Sequence, residues 1–251
     1  MNAKRWAIII SLVVVLVVNG LANILPINGL TTGEVSDEFP VLFVPAAYVF
    51  SIWGLIYLSL IAFAIYSVTP RGLENQVIDS IAWWFVAANI FNSTWIFLWH
   101  YLQFPLTLIA IVGLLISLIV IFLKLRIGVE QRPLLEKLVV ATPFSIYLGW
   151  ATVAVVANFA QTLYSIGYRG EPFSQSFWAV ALLVVATGIG FVMIFKRQQI
   201  AYPVVLTWAF IGIYVKQGGT PVVAYTALVL GVAIAVLTLA RTILKRGAVV
   251  N

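Results

Sequence analysis

Eight long apolar stretches follow one another along the chain, and they constrain its fold more than any other feature. A transmembrane α-helix needs about 20 mainly apolar residues. The chain is 63% hydrophobic and only 9% charged, far from the balance of an average soluble domain. We therefore predict an all-α, polytopic transmembrane helix bundle. The predicted spans are residues 5–25, 43–68, 79–101, 105–126, 135–166, 175–195, 201–216 and 221–241.

Two of these stretches allow a second interpretation. Residues 201–216 form a short stretch with Pro203 near its start, so a re-entrant helix there would reduce the count to seven spans. The first stretch follows Lys4 and Arg5, as the apolar part of a signal peptide would. Because no clear small-residue cleavage site follows it, we interpret it as a retained span.

The basic residues predict how the spans are oriented. With the N-terminus inside, all of the 14 Lys and Arg residues except Arg169 and Lys216 fall on the inside. This asymmetry predicts eight spans with both termini inside. It is typical of a bacterial plasma membrane, and no Arg/Ser-rich transit peptide precedes the first span, although an organelle membrane stays open. The basic residues form short clusters between apolar runs, so the net charge of +6 does not indicate a nucleic-acid partner.

The residue types that are missing exclude several kinds of chemistry. No acidic or basic residue lies near the middle of a predicted span, which disfavours proton- or sodium-coupled carriers and a retinal Schiff base. The chain has no cysteine and one histidine, His100, so thiol catalysis and multi-histidine metal sites are excluded. We predict no catalytic and no metal-binding residues, and an enzyme is the less favoured class.

Three of the predicted spans carry tryptophan together with asparagine or tyrosine at helical spacing, on one face. Such a face should turn inward, because a buried amide without a partner is costly in lipid. Large rings beside amides suit a flat, mostly apolar ligand with a few polar edges. The predicted ligand-binding residues are Phe50, Trp53, Tyr57, Asn92, Trp95, Trp99, Tyr147, Trp150, Ala154 and Asn158.

The same asparagines also have a structural explanation. Asn92 and Asn158 would then join helices through hydrogen bonds worth roughly 0.6–2 kcal/mol each. Asn19 and Asn23, one turn apart in the first span, are predicted to do so. Asn158 and Gln161 also lie about one turn apart, so they could bond to each other or to a ligand.

At these positions the chain resembles the tryptophan-rich sensory protein family (TspO/MBR), which includes the mitochondrial translocator protein, or peripheral benzodiazepine receptor. Family signatures on three helices match in the correct order. Two features depart from the family pattern: Ile146 stands where a proline is expected, and the first loop lacks the family's tryptophan and lysine–proline pair. The matching residues are Pro45, Phe50, Trp53 and Tyr57 in the second span, Asn92 and Trp95 in the third, and Tyr147, Trp150, Ala154 and Asn158 in the fifth.

The resemblance covers roughly residues 5–166. It implies a five-helix core in residues 1–166 and an additional three-span C-terminal extension in residues 167–251. It also implies a pocket near one membrane face for a tetrapyrrole such as protoporphyrin or haem, or for a sterol. No cofactor is required, and the partners are the lipid bilayer, a hydrophobic small molecule and, as an option, a second copy in a homodimer.

Several functions stay open at this point. The leading one is binding of a tetrapyrrole-like or other flat hydrophobic ligand inside the bundle, with sensing or translocation as its purpose. The alternatives are an uncoupled small-molecule transporter, light-dependent breakdown of a porphyrin in which a pocket tryptophan takes part, and a structural membrane subunit without a ligand.

Overall fold

The computed structural model describes residues 2–25 and 27–250, with side chains through residue 244, and in this part every regular element is helical. A 3₁₀ turn, Ala47–Ser51, leads into α3, and a π-helical segment, Lys137–Ala141, joins α7 to α8. The helices are α1 (Ala3–Ile24), α2 (Thr32–Asp37), α3 (Ile52–Ser67), α4 (Pro70–Glu74), α5 (Gln76–His100), α6 (Phe104–Lys124), α7 (Leu134–Glu136), α8 (Thr142–Ser165), α9 (Gln175–Phe195), α10 (Ala201–Lys216) and α11 (Pro221–Val250).

The prediction of an all-α, polytopic membrane bundle is confirmed. Seven helical stretches in the described residues are long and apolar enough to cross a membrane, and the shorter apolar helix α10 accompanies them. The predicted second span began too early, because residues 43–46 are not helical. Pro45 has no N–H to donate, and the N–H of Ala46 donates to the carbonyl of Gly212 (3.1 Å), outside any helical ladder.

The π-helical segment ends two residues before Pro143, and a proline disturbs the hydrogen-bond ladder of the turn that precedes it. A proline within a helix leaves a carbonyl one turn earlier without its usual donor. Here the widened turn spans Lys137–Ala141, and the Thr142 hydroxyl donates to the carbonyl of Lys137 (2.9 Å). The local change in helix type therefore has an identifiable cause in the sequence.

Five of the long helices close into a ring. α1 packs on α5, α5 on α6, α6 on α8, α8 on α3, and α3 again on α1. The helix α2 lies across one end of the ring, in contact with α5 and with the turn Ala47–Ser51. Outside the ring, α10 packs on α8, and α9 and α11 pack on α10 and on each other.

The interior of the ring differs between its two ends. Toward the end where α8 begins, it is filled by a purely apolar cluster in which the ring centroid of Phe63 lies 4.9 Å from that of Phe144 and 5.4 Å from that of Phe85. Toward the end covered by α2, the interior holds tryptophan, tyrosine and asparagine side chains instead. The polar end is therefore where a ligand could be recognised.

Candidate ligand-binding site

A buried amide, Asn92, joins four helices of the ring. Its side-chain oxygen accepts from the amide of Asn19 on α1 (2.8 Å) and, at a longer 3.5 Å, from the hydroxyl of Tyr57 on α3. Its nitrogen donates to the hydroxyl of Tyr147 on α8 (2.8 Å). Asn92 is fully buried, so these bonds satisfy a group that would otherwise be costly in the interior.

The structural role predicted for the first-span asparagines holds for only one of them. Asn19 bonds across to Asn92 and so connects α1 to α5. Asn23 instead donates to the carbonyl of Asn19 within its own helix (2.9 Å). The expectation that Asn23 joins two helices was wrong, because its side chain bonds locally along α1.

Asn158 forms a second polar connection. Its oxygen accepts from the indole N–H of Trp95 on α5 (3.0 Å), and its nitrogen donates to the hydroxyl of Thr107 on α6 (2.8 Å). The suggested bond between Asn158 and Gln161 does not occur. Gln161 donates to the carbonyl of Ser36 in α2 (3.0 Å) and so ties α8 to the helix that covers the ring.

Aromatic rings surround these amides, with Trp53 at their centre. The Trp53 ring stacks on Tyr57 with centroids 5.5 Å apart and an interplanar angle of 18°. It meets Trp150 edge-on at 6.2 Å and Tyr147 edge-on at 5.8 Å, and lies 6.3 Å from Trp95. Offset and edge-to-face pairs of this kind contribute roughly 0.5–1.5 kcal/mol beyond their burial.

Seven of the ten predicted site residues line one small cavity, which we call the aromatic cavity. The other three, Tyr57, Asn92 and Tyr147, form the hydrogen-bonded cluster beside it. The cavity measures only about 20 Å³, close to the space of a single water molecule. Its walls are Ser36, Pro45, Phe50, Trp53, Trp95, Trp99, Trp150, Val153, Ala154, Ala157, Asn158 and Gln161.

Several wall residues were missed as site residues in the sequence. Val153 and Ala157 lie three and seven residues after Trp150, on the same face of α8, so the same periodicity could have found them. Ser36 lies on α2, outside the three aromatic helical faces, and carries no sequence signal. Thr107, which fixes Asn158 without lining the cavity, was missed for the same reason.

The four tryptophans that line the aromatic cavity differ in whether their indole N–H groups have a hydrogen-bond partner. Trp95 donates to Asn158, and Trp99 donates to the carbonyl of Thr32 (3.1 Å). The indole N–H groups of Trp53 and Trp150 are buried and have no hydrogen-bond partner. A buried donor left unpaired costs roughly 1–3 kcal/mol, so these two groups are the ones that an incoming acceptor would stabilise most.

A wider cleft of about 610 Å³ lies beside the aromatic cavity, between α1, α2 and α3, and we call it the side cleft. Phe50 and Trp53 line both spaces. The side cleft also carries Asn19, Asn23 and Glu34. It is therefore larger and more polar than the aromatic cavity, with two aromatic side chains separating them.

The side cleft is acidic where α2 begins. Thr31 caps α2, and both its N–H and its hydroxyl donate to the carboxylate of Glu34 (2.7 Å each). These hydrogen bonds lower the pKa of Glu34 below its ordinary value. The carboxylate therefore stays ionised at neutral and mildly acidic pH and gives this end of the cleft a negative charge.

Helix α10 holds the segment that covers the aromatic cavity, residues 36–51, from the outer side. Lys216 pairs with Asp37, Gln217 donates to the carbonyl of Val41 (3.4 Å), and Trp208 donates to the carbonyl of Val49 (3.1 Å). The backbones approach most closely at Gly212, where an added Cβ would collide with Val49. Helix α10 therefore takes part in closing the site.

His100 is buried at the end of α5. Its Nδ1 lies 3.1 Å from the carbonyl of Ile27, and its Nε2 lies 3.2 Å from the hydroxyl of Thr32. Both ring nitrogens are engaged in holding the chain between α1 and α2 on α5, away from the walls of the aromatic cavity.

The fold and the site together define a class: a polytopic α-helical membrane protein with an aromatic and amide-lined site inside a ring of five helices. A family model described as TSPO-like protein matches residues 5–240. The chain therefore belongs to the TSPO-like protein family, and the resemblance seen in the sequence is confirmed. The match continues through α9, α10 and most of α11. No curated protein and no solved structure matches the chain.

Proposed function

We propose that this protein binds a flat, mainly apolar molecule of the tetrapyrrole class in its five-helix core and that binding serves sensing or translocation. The observation that carries the proposal is the pair of buried, unpartnered indole N–H groups of Trp53 and Trp150 on one aromatic cavity. Ring faces would stack on the ligand, and the two donors would meet acceptors at its edge. The ten residues predicted from the sequence remain the proposed binding set.

Binding a tetrapyrrole requires the site to open. Pockets for small molecules typically measure about 300–1,000 Å³, and the aromatic cavity of about 20 Å³ is far smaller. The side cleft of about 610 Å³ has the required size. A ligand in the side cleft would first contact Phe50 and Trp53, and displacement of Phe50 would join the two spaces.

The chemistry of the walls favours ring contacts over iron ligation. None of the residues that line the aromatic cavity has an imidazole or thioether side chain. A tetrapyrrole would therefore be held by stacking and by hydrogen bonds, with or without a metal at its centre.

A neutral polycyclic molecule, such as a sterol, is the second candidate. The ionised Glu34 lies on the side cleft, and it would repel the carboxylates of a porphyrin that approached with its charged edge first. An uncharged ligand meets no such penalty. The methyl-esterified porphyrin separates the two cases, because it keeps the ring and lacks the charge.

Titration of tryptophan fluorescence with protoporphyrin IX tests the proposal. We expect saturable quenching at micromolar ligand. Trp150→Ala should weaken binding at least tenfold, and Trp53→Phe and Trp150→Phe each about two- to tenfold, because each loses one hydrogen bond. Trp178→Phe, on α9 outside the ring, is the control and should change nothing. Linear quenching in every variant would mean that porphyrin only partitions into the micelle.

Flux and product assays distinguish binding from its alternatives. Efflux of porphyrin from proteoliposomes would establish an uncoupled carrier. Product formed only under light, and lost in Trp53→Phe or Trp150→Phe, would establish photochemical breakdown. Failure to bind any flat ligand, with a partner protein that co-purifies, would favour the structural subunit.

We also propose eight crossings with both termini inside, a five-helix core in residues 1–166 and a three-span extension in residues 167–251. The contacts of α10 support this arrangement: before its start Gln199 accepts from Ser145 near the start of α8 (2.9 Å), and at its end Lys216 pairs with Asp37. Helix α10 has 16 residues and is therefore about 24 Å long, which is shorter than the hydrocarbon core of a bilayer. The basic asymmetry supports a bacterial plasma membrane.

Single cysteines test the topology, since the natural chain contains none. An impermeant maleimide added to intact cells should label Ser174→Cys and Gly218→Cys, and it should leave Glu130→Cys unlabelled. Labelling of Glu130→Cys, or protection of Gly218→Cys, would contradict eight crossings.

A further inference from the structure

A third space lies outside the ring, where the end of α8 meets the start of α9. It measures about 280 Å³ and we call it the outer groove. Its walls are mainly apolar and include Phe43, Phe159, Leu163, Trp178 and Leu182. It does not share a wall residue with the aromatic cavity or the side cleft, so it is a separate site.

One cation, Arg169, lies at this groove. Its Nη1 donates to the carbonyls of Tyr164 (2.7 Å) and Tyr168 (3.0 Å), and its guanidinium lies 3.7 Å from the centroid of the Tyr164 ring. These contacts fix an exposed side chain that would otherwise sample many rotamers. The guanidinium is therefore fixed at the groove, where its plane can form charge-assisted hydrogen bonds with an anion.

No acidic residue of the described chain forms an ion pair with Arg169. The nearby carboxylate of Glu171 accepts a hydrogen bond from the backbone N–H of Arg169 (3.2 Å) and lies beyond ion-pair distance of its guanidinium. The guanidinium of Arg169 therefore has no direct ionic partner among the described residues, and an external anion would supply one.

The surroundings place this charge at a membrane–water boundary. Phe173, Phe177 and Trp178 are exposed and in ring contact at the start of α9, and the indole N–H of Trp178 donates to the carbonyl of Gly170 (3.0 Å). Exposed tryptophan at the end of a spanning helix is typical of the headgroup level of a bilayer. A cation at that level and an apolar groove below it match the two halves of a phospholipid.

We propose that the outer groove binds one anionic phospholipid of the surrounding leaflet, with its phosphate on Arg169 and part of one acyl chain between α8 and α9. A free anion would leave the apolar walls uncovered, and a zwitterionic lipid would bring a second cation to Arg169. The bound chain would also contact Val41, Leu42 and Phe43, which belong to the segment that covers the aromatic cavity.

Brominated lipids test this proposal through Trp178, which lines the groove. The purified full-length protein is titrated with phosphatidylglycerol brominated on its acyl chains, with brominated phosphatidylcholine as the comparison. We expect saturable quenching by phosphatidylglycerol at concentrations at least fivefold below those needed for phosphatidylcholine. Trp178→Phe should remove most of the phosphatidylglycerol-specific quenching.

Charge and shape variants make the test specific. Arg169→Gln should abolish the preference for phosphatidylglycerol, whereas Arg241→Gln, an exposed arginine on α11, should leave it unchanged. Glu171→Gln should strengthen the preference, since it removes the nearby negative charge. Ala160→Phe, which fills the groove, should weaken binding of both lipids.

Three results would overturn the proposal. They are equal quenching by both lipids, an unchanged preference in Arg169→Gln, and displacement of the brominated lipid by millimolar glycerol phosphate, which would indicate a site for the free headgroup anion. The porphyrin titration is independent of all three, because it depends on different tryptophans.

Discussion

Replacing Asn92 by leucine should destabilise the bundle by about 2–4 kcal/mol. Leucine keeps a similar volume but removes the acceptor for Asn19 and the donor to Tyr147, both at 2.8 Å. Loss of the bond to Asn19 should cost roughly 0.6–1.7 kcal/mol, the range for hydrogen bonds between membrane helices. The Tyr147 hydroxyl, on a residue that is 1% exposed, would also lose the amide that bonds to it, at a cost of roughly 1–3 kcal/mol.

Reversible unfolding in mixed detergent micelles, followed by tryptophan fluorescence, measures this free energy. Asn23→Leu is the matched control, since Asn23 bonds only within its own helix, and it should cost less than about 0.5 kcal/mol. In a Tyr147→Phe background, Asn92→Leu should cost about 1 kcal/mol less than in the natural protein. A cost for Asn92→Leu no larger than that of the control, or no coupling to Tyr147, would refute the structural role of this amide.

Three further predictions concern the cover of the site, its charge and one end of the bundle. Lys216→Met should release residues 36–51 and accelerate porphyrin association at least threefold in stopped-flow fluorescence, whereas Lys196→Met should not; equal rates would contradict bracing by α10. Glu34→Gln should strengthen binding of protoporphyrin severalfold at low ionic strength and leave binding of its dimethyl ester unaffected. Because the pKa of Glu34 is lowered, this difference between the two ligands should persist on acidification until the porphyrin's own carboxylates take up protons, which affinities measured across pH would check. Arg5→Gln should cost about 2 kcal/mol of unfolding free energy, because the buried guanidinium holds two backbone carbonyls, whereas Lys4→Gln should be nearly neutral.

Periodicity predicted the inward faces of the site because membrane helices are regular. Trp53, Trp95 and Trp150 lie on three different helices, yet each was selected by the spacing of polar and aromatic residues on its own helix. Because a buried amide without a partner is costly in lipid, those faces must turn toward one another inside the bundle. That reasoning needs no knowledge of the partners, so one sequence was enough to predict that these faces turn inward, while their role in binding a ligand stays a prediction.

The partners of those residues could not be predicted. Asn158 could bond to Gln161, to a ligand or to another helix, and only the packing of α5 and α6 on α8 selects Trp95 and Thr107. Lys216 pairs with Asp37, which lies 179 positions away in the chain, and no local sequence pattern indicates this pair. The small volume of the aromatic cavity likewise follows from the packing of side chains from several helices, which spacing along the chain does not encode.

The indole N–H signals of uniformly ¹⁵N-labelled protein test the central claim most directly. The chain has nine tryptophans, and single Trp→Phe variants would assign their signals. On addition of protoporphyrin IX we expect large, saturable shifts for Trp53 and Trp150, whose donors have no partner, and no saturable shift for Trp6 or Trp178. Unchanged Trp53 and Trp150 signals at a ligand concentration that saturates fluorescence quenching would place the ligand elsewhere and contradict the account.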